Sequence, residues 1–156
     1  MTIISALTRK GVIGKDNAMP WHISEESKLF KKLTLGGTLI MGRKTFESFG
    51  SRPLPRRKHI IISRSMPETE GIEICRTLED AVDKAGAYEK DVFCIGGSEI
   101  YRQMLPKANR LYLSYVKEEY PGDTHFPEFD LGEWQVVREE DHEEFTFVEY
   151  ERKNPT

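Results

Sequence analysis

The sequence predicts an α/β fold: a mostly parallel sheet flanked by about four helices, with an antiparallel hairpin at the C-terminal edge. Three observations carry that expectation. Short β-rich apolar runs alternate with segments of helical spacing, and such alternation requires crossovers between parallel strands. The last two strand candidates are consecutive, with only a polar turn between them, so they pair antiparallel. The 156 residues, 38% hydrophobic and 31% charged, suit one domain that buries a sizeable core without metal or disulfide. No repeat, linker or low-complexity tract divides residues 1–156.

In chain order the strand candidates are Thr2 to Leu7, Thr38 to Met41, His59 to Ser63, Ile72 to Cys75, Val92 to Ile95 and Leu111 to Val116. Each is bounded by turn residues. Ser24 to Thr34, Arg43 to Phe49, Leu78 to Ala87 and Ser98 to Leu105 have helical spacing. Thr77 with Asp80 marks a cap at the start of the third helix, and Ser98 is read as the cap of the fourth. Trp134 to Glu140 and Phe145 to Arg152 supply the edge hairpin.

Charge and composition exclude several classes. The 23 Lys and Arg are interspersed with 26 Asp and Glu for a net charge of −3, so no basic field exists to hold nucleic acid or an anionic membrane. Small molecules are the expected partners. No apolar run approaches the roughly 18 residues of a membrane span, and Met1 leads into an apolar segment without a basic leader, so a cytoplasmic location is expected. Cys75 and Cys94 each fall in an apolar stretch and are expected as buried thiols. His22, His59, His125 and His142 show no metal-ligand spacing, and no metal is expected. A dimer would need an exposed apolar patch; a monomer is the expected state.

Several residue sets are candidates for chemistry. On the first helix Glu26 shares a face with Leu29, Phe30 and Leu33, so a carboxylate points the way the core does. Two readings fit that placement: a first-turn glutamate that snorkels to solvent, or an acid held inward to handle protons or bind a cationic ring. The preceding connection, residues 11 to 21, is long for a strand-to-helix loop and ends in Met19, Pro20 and Trp21. It reads either as a lid closing over a ligand or as a fixed Ω-loop. Gly42, Arg43, Lys44 and Thr45, then Ser63 and Arg64, then Gly96, Gly97 and Ser98 follow three strand ends. Each alone is an ordinary strand-to-helix turn; together they suggest the phosphates of one extended nucleotide. Neither a Rossmann fingerprint nor a P-loop is present. Arg52 to Lys58 is a rigid, proline-containing basic segment able to bind a carboxylate, and Gly122 to Pro127 reads as a turn in which Asp123 can hold a neighbouring loop.

In this order these segments closely resemble dihydrofolate reductases, from Ile3 to about Arg152. The matching segments are V-I-G-x-x-N-A-M-P-W (12 to 21), F-K-x-x-T (30 to 34), I-M-G-R-K-T-F-E-S (40 to 48), R-P-L-P-x-R (52 to 57), I-G-G-x-x-I-Y (95 to 101) and G-D-T-H-F-P (122 to 127). The resemblance implies one reductase domain with an eight-stranded, mostly parallel sheet and four helices. It also implies NADPH-dependent reduction of 7,8-dihydrofolate to tetrahydrofolate, a step of one-carbon metabolism. Hydride passes from nicotinamide C4 to pterin C6, with protonation at N5. Glu26 matches the acid that anchors the pterin and assists protonation, with Trp21 and water beside it. Ile4, Ala6, Ile95 and Ser114 match the rest of the pterin pocket, Phe30 and Leu54 the walls around the aminobenzoyl ring, and Arg57 the clamp on the substrate's α-carboxylate.

On the cofactor side, Gly42, Arg43, Lys44, Thr45, Ser63 and Arg64 match positions around the pyrophosphate and 2′-phosphate. Gly96, Gly97, Ser98, Glu99 and Tyr101 match the cofactor groove, and Ala6, Ile13 and Gly14 lie where the family places the nicotinamide. The resemblance further implies a cis Gly96–Gly97 peptide, a mobile loop over residues 15 to 20 latched by Asp123, and antifolates as further ligands. The chain departs from the family pattern in carrying Glu26 where many bacterial members have Asp, Ser27 where an apolar residue is frequent, Ser114 for the usual Thr, and an extra residue near Gly50 and Ser51. Two rival readings are a same-fold reductase of a ribosylated aminopyrimidine in flavin synthesis and a silent nucleotide-binding module. Neither has a use for Glu26, Phe30 and Arg57 together.

Overall fold

A computed structural model describes residues 1–14, 20–48 and 50–153. In chain order its elements are β1 (Thr2–Thr8), β2 (Val12–Gly14), α1 (Ser24–Thr34), β3 (Thr38–Gly42), α2 (Arg43–Ser48), β4 (Lys58–Ile62), β5 (Glu73–Cys75), α3 (Leu78–Ala87), β6 (Val92–Gly96), α4 (Ser98–Met104), β7 (Arg110–Val116), β8 (Thr124–His125), β9 (Trp134–Asp141) and β10 (Phe145–Arg152). Eight strands form one sheet in the order β5-β4-β3-β6-β1-β7-β10-β9. Every pair from β5 through β7 is parallel, and β10 runs antiparallel to both β7 and β9. The expected α/β class, four helices and C-terminal hairpin are therefore present, with strand limits that differ by about one residue.

Burial follows strand position. β1 and β3 lie inside the sheet and are almost wholly buried, which suits their unbroken apolar runs. Edge strand β9 buries Trp134 and exposes Gln135 through Glu139, with charges that discourage further strand pairing. Arg152 fastens the hairpin: Nε donates to the Ala108 carbonyl at 3.0 Å, Nη2 to that of Leu105 at 2.7 Å, and the guanidinium lies 4.3 Å from the Trp134 ring centre. Cys75 and Cys94 are buried free thiols, and burial pushes Cys94 up to about 12.

Local signals explain most helix ends. Thr77 Oγ1 accepts from the Asp80 N–H at 3.1 Å, as its spacing requires. At α4 the expectation is corrected: Gly97 occupies the cap and Ser98 is already the first helical residue. The extended backbone of Gly97 ends the turn one residue earlier. Leu105 also lies outside α4, in a 3₁₀ turn through Lys107. Pro106, lacking an N–H, cannot continue the α-helical ladder.

A second correction concerns residues 122–127, which hold a two-residue strand as well as a turn. β2 and β8 pair antiparallel, Val12 opposite His125 and Gly14 opposite Thr124. The Asp123 N–H donates to the Gly14 carbonyl at 3.1 Å, and the Phe126 N–H to that of Gly11 at 2.8 Å. Gly122 makes this approach possible, since a Cβ there would lie 2.5 Å from the Gly14 oxygen and collide with the Val12 side chain. Gly122→Ala is expected to cost about 1–3 kcal/mol by forcing β2 and β8 apart; urea denaturation of the two proteins measures it.

Candidate active site

Parallel pairing places the C-terminal ends of β1, β3, β4 and β6 along one edge of the sheet, where ligands of open α/β folds bind. Gly42 is opposite Ile62, and Met41 is opposite Gly96. The three turns that the sequence offered separately as phosphate sites are thus neighbours. Arg43, Lys44 and Arg64 are exposed there, while Ser63 Oγ accepts from the Ser65 and Met66 N–H groups at 3.4 and 3.1 Å. The Gly96–Gly97 peptide is cis, as the resemblance implied. A Cβ on Gly96 would come 3.0 Å from Thr45 Oγ1, so α2 packs directly on bare backbone. Tyr101 is buried beneath this turn and its hydroxyl donates to the Ile4 carbonyl at 2.9 Å. Glu99, exposed, pairs with Arg102 and Gln103 of its own helix.

A further cation arrives from the next strand. Arg76 follows β5, and its Nη1 donates to the Ser63 carbonyl at 2.9 Å and the Met66 carbonyl at 2.8 Å. The guanidinium thereby stands beside Ser63 and Arg64. Sequence reading passed over it because its only local signal is a basic residue just past a short strand.

The other half of the edge is apolar. Ile4 and Ile95 are buried in one cluster with half-buried Phe30, Leu33 and Leu54 packed on it. Ala6, Trp21 and Phe147 belong to a second, against which Leu29 and Leu33 pack. Ser114 is buried on β7, opposite Ala6 on one side and Phe147 on the other. On α1, Leu29, Phe30 and Leu33 remain half-buried, while Glu26 and Thr34 are the buried residues of the helix. Such a helix, its apolar face partly open beside a buried acid, is available to line a ligand site.

Glu26 is 9% exposed. Burial alone raises its carboxyl from 4.5 to about 7. The snorkelling alternative is thereby set aside. Nearby, Trp21 is stacked at a tilt on Tyr120 with centroids 5.6 Å apart, and its Nε1 is buried without a hydrogen-bond partner among the described residues. A buried donor of this kind is normally satisfied by water or ligand.

At the far end of α1, Arg57 is held by three bonds: Nε to Thr34 Oγ1 at 2.9 Å, Nη1 to the Pro55 carbonyl at 2.6 Å, and Nη2 to the Lys31 carbonyl at 2.6 Å. Thr34 Oγ1 in turn donates to the Phe30 carbonyl at 2.8 Å. A guanidinium has five N–H groups, so one remains on each terminal nitrogen, the pair that grips a carboxylate. Thr34 belongs to the F-K-x-x-T segment, yet no role follows from its sequence position because its partner lies 23 residues away. Thr34 lies eight residues further along the helix than Glu26, about 12 Å of rise.

Ile13 and Gly14 lie in β2, beyond the end of β1. The loop assigned to residues 15 to 20 falls outside the described residues except for Pro20, so its latching is not described. Asp123 nevertheless sits at the mouth of that connection, and its Oδ1 accepts from Thr124 Oγ1 at 2.9 Å.

A parallel sheet whose strand ends gather cations, beside an apolar region with one buried acid, is the arrangement of a nucleotide-dependent α/β enzyme. A model of the dihydrofolate reductase family matches residues 1–152. A dihydrofolate reductase from Bacillus subtilis is 41% identical, covering 99% of this chain and 95% of its own. One from Haemophilus influenzae is 44% identical over 89% of this chain and 86% of its own. A solved structure of the Enterococcus faecalis dihydrofolate reductase, complexed with NADP(H) and RAB-propyl, superposes with a TM-score of 0.89 at 33% identity, covering 98% and 96% of the two chains. The chain belongs to the dihydrofolate reductase family.

The raised Glu26 carboxyl has a consequence for stability. Its folded value, about 7, exceeds the unfolded 4.5, so ionisation destabilises the fold. The penalty is absent below pH 4.5, grows up to about pH 7 and is constant above; it amounts to about 3 kcal/mol. Glu26→Gln is expected to stabilise the ligand-free protein at pH 8 by up to that amount, and not at pH 4, in paired denaturant titrations.

Proposed function

We infer that the chain reduces 7,8-dihydrofolate to 5,6,7,8-tetrahydrofolate with NADPH, and that residues 1–156 act as one reductase domain. The observation that carries the site assignment is the pairing of a buried acid and an anchored guanidinium at opposite ends of α1. Placed at the first and last turns of an 11-residue helix, they suit a flat ring system with donor groups at one end and an amino-acid carboxylate at the other.

NADPH, when bound, supplies the hydride that pterin C6 receives. The chain's own residues do the rest. Glu26 accepts hydrogen bonds from the pterin 2-amino and N3 groups, and its raised carboxyl stays partly protonated near neutrality, which makes a proton available for N5. Trp21 directs its unpartnered Nε1–H toward water or ligand in the same pocket. Ile4, Ala6, Ile95 and Ser114 form the pterin walls; Phe30 and Leu54 flank the aminobenzoyl ring; the two free N–H groups of Arg57 hold the α-carboxylate. Positioning of this kind is the larger part of the catalytic effect.

The residues at the three strand ends fit the cofactor. Gly96 and Gly97 present bare backbone against Thr45, a surface that a flat ring or a phosphate can approach. Gly42, Arg43, Lys44 and Thr45 take the pyrophosphate, while Ser63, Arg64 and Arg76 take the 2′-phosphate, which favours NADPH over NADH. Ser98, Glu99 and Tyr101 line the groove, with Ala6, Ile13 and Gly14 at its nicotinamide end. Among the described residues no helix is long and apolar enough to cross a membrane, and a monomer that also binds antifolates is consistent with this site.

Loss of NADPH absorbance on adding dihydrofolate tests the reading directly. Glu26→Gln is expected to slow hydride transfer at pH 7 by about 100-fold or more. The parent's rate should fall as pH rises through about 7, and the variant's should not; pre-steady-state absorbance across pH separates them. Removing a cation in Arg64→Ala should raise the KM for NADPH by about tenfold and leave that for NADH unchanged, as steady-state kinetics with each nucleotide would show.

A further inference from the structure

The segment that carries Leu54 and Arg57 is built around an otherwise unassigned histidine. Pro53 and Pro55 have no N–H, so the Leu54 N–H is the one backbone donor of residues 53–55. It donates to His59 Nε2 at 3.0 Å. On the other side of the ring, Nδ1 lies 3.2 Å from the Arg57 carbonyl oxygen. A backbone N–H only donates and a carbonyl only accepts, so both contacts are satisfied by one form of the ring: neutral, with the proton on Nδ1.

His59 is 2% exposed on β4, where it pairs with Leu39 of β3. Burial holds its protonation below the ordinary histidine range, and the Arg57 charge adds to this against the opposing pull of the Arg57 carbonyl. A rigid ring anchored in the sheet thus spans the turn between Leu54, packed beside Phe30, and Arg57, bonded to the end of α1. Arg56, inside that turn, adopts a left-handed φ of 61°, so the turn has little conformational preference of its own to rely on.

We propose that His59 is a positioning residue for substrate binding, its imidazole setting Leu54 and Arg57 at the spacing that grips the aminobenzoylglutamate half of dihydrofolate. This rests on the functional reading above. Among the described residues the hydrogen bonds of His59 go to Leu54 and Arg57, so its effect is expected in that half of the substrate.

The test compares two substrates: dihydrofolate, and a 6-alkyl-7,8-dihydropterin that lacks the aminobenzoylglutamate half. His59→Phe keeps the ring and removes both nitrogens. It is expected to raise the KM for dihydrofolate at least about fivefold with kcat and the KM for NADPH unchanged, and to leave the kinetics on the dihydropterin at parental values. His59→Gln returns an acceptor to the Leu54 N–H through Oε1, but its NH₂ donors sit on the same terminal carbon and not at the Nδ1 position beside the Arg57 carbonyl. Its KM for dihydrofolate should lie between parent and His59→Phe, and above the parent even where the phenylalanine variant fails to fold. Equal losses on both substrates, a change confined to kcat or to NADPH, or parental KM values in both variants would overturn the proposal. Failure of the parent chain to oxidise NADPH with dihydrofolate would overturn the functional reading, and this proposal with it.

Discussion

The parallel register of β1, β3, β4 and β6 is the constraint on which the rest of the molecule depends. Because these strands run in the same direction, their C-terminal turns lie along one edge of the sheet. A one-residue slip would exchange the two faces of each strand; Ile3, Ile40 and Ile60 pack in one buried cluster and Leu39 and Ile61 in another, so a slip breaks both sets of contacts. The same burial that locks the register therefore holds the cationic turns together. Arg43, Arg64 and Arg76 come from segments far apart in the chain, yet they share one edge because the strands before them do.

Against this scaffold the two charged ends of the proposed site are built by opposite means. Glu26 is set among apolar groups, and desolvation keeps its proton on toward neutral pH. Arg57 is set among acceptors: a hydroxyl and two carbonyls orient the guanidinium and leave two donors unspent. One setting raises the energy of a charge by desolvation; the other holds a charge in place through hydrogen bonds. Helix α1 links them, because its first turn carries the acid and its last turn receives the arginine. The net charge of −3 conceals this division entirely.

Much of the fold was legible from sequence because the forces that define its elements act over a few residues. The helical spacing of Ser24 to Thr34, the Thr77 cap and the breaks at glycine and proline are all local. The paired glycines, the inward acid and the R-P-L-P-x-R segment could be recognised for a similar reason: each is a short run of unusual residues. What escaped was the product of distant approach. The β2–β8 pairing joins segments over 100 residues apart and shows in sequence only as a glycine before a short polar run. Thr34 and Arg76 look like ordinary surface residues until Arg57 and Ser63 are placed beside them. His59 gave no metal or catalytic spacing, and its two contacts are with backbone atoms that no side-chain pattern reports.

By itself, then, the sequence determined the α/β class, the four helices and most of the residues proposed for the site. Periodicity, capping and residue chemistry are properties of neighbouring positions. Only the tertiary structure decided that Glu26 is buried, that Trp21 Nε1 is left without a partner among the described residues, that three strand ends with their cations share one edge, and that His59 is held as a neutral ring bridging Leu54 and Arg57. Desolvation and hydrogen-bond geometry depend on which distant groups exclude solvent or come within 3 Å or so, and those distances exist only once the sheet has closed its register.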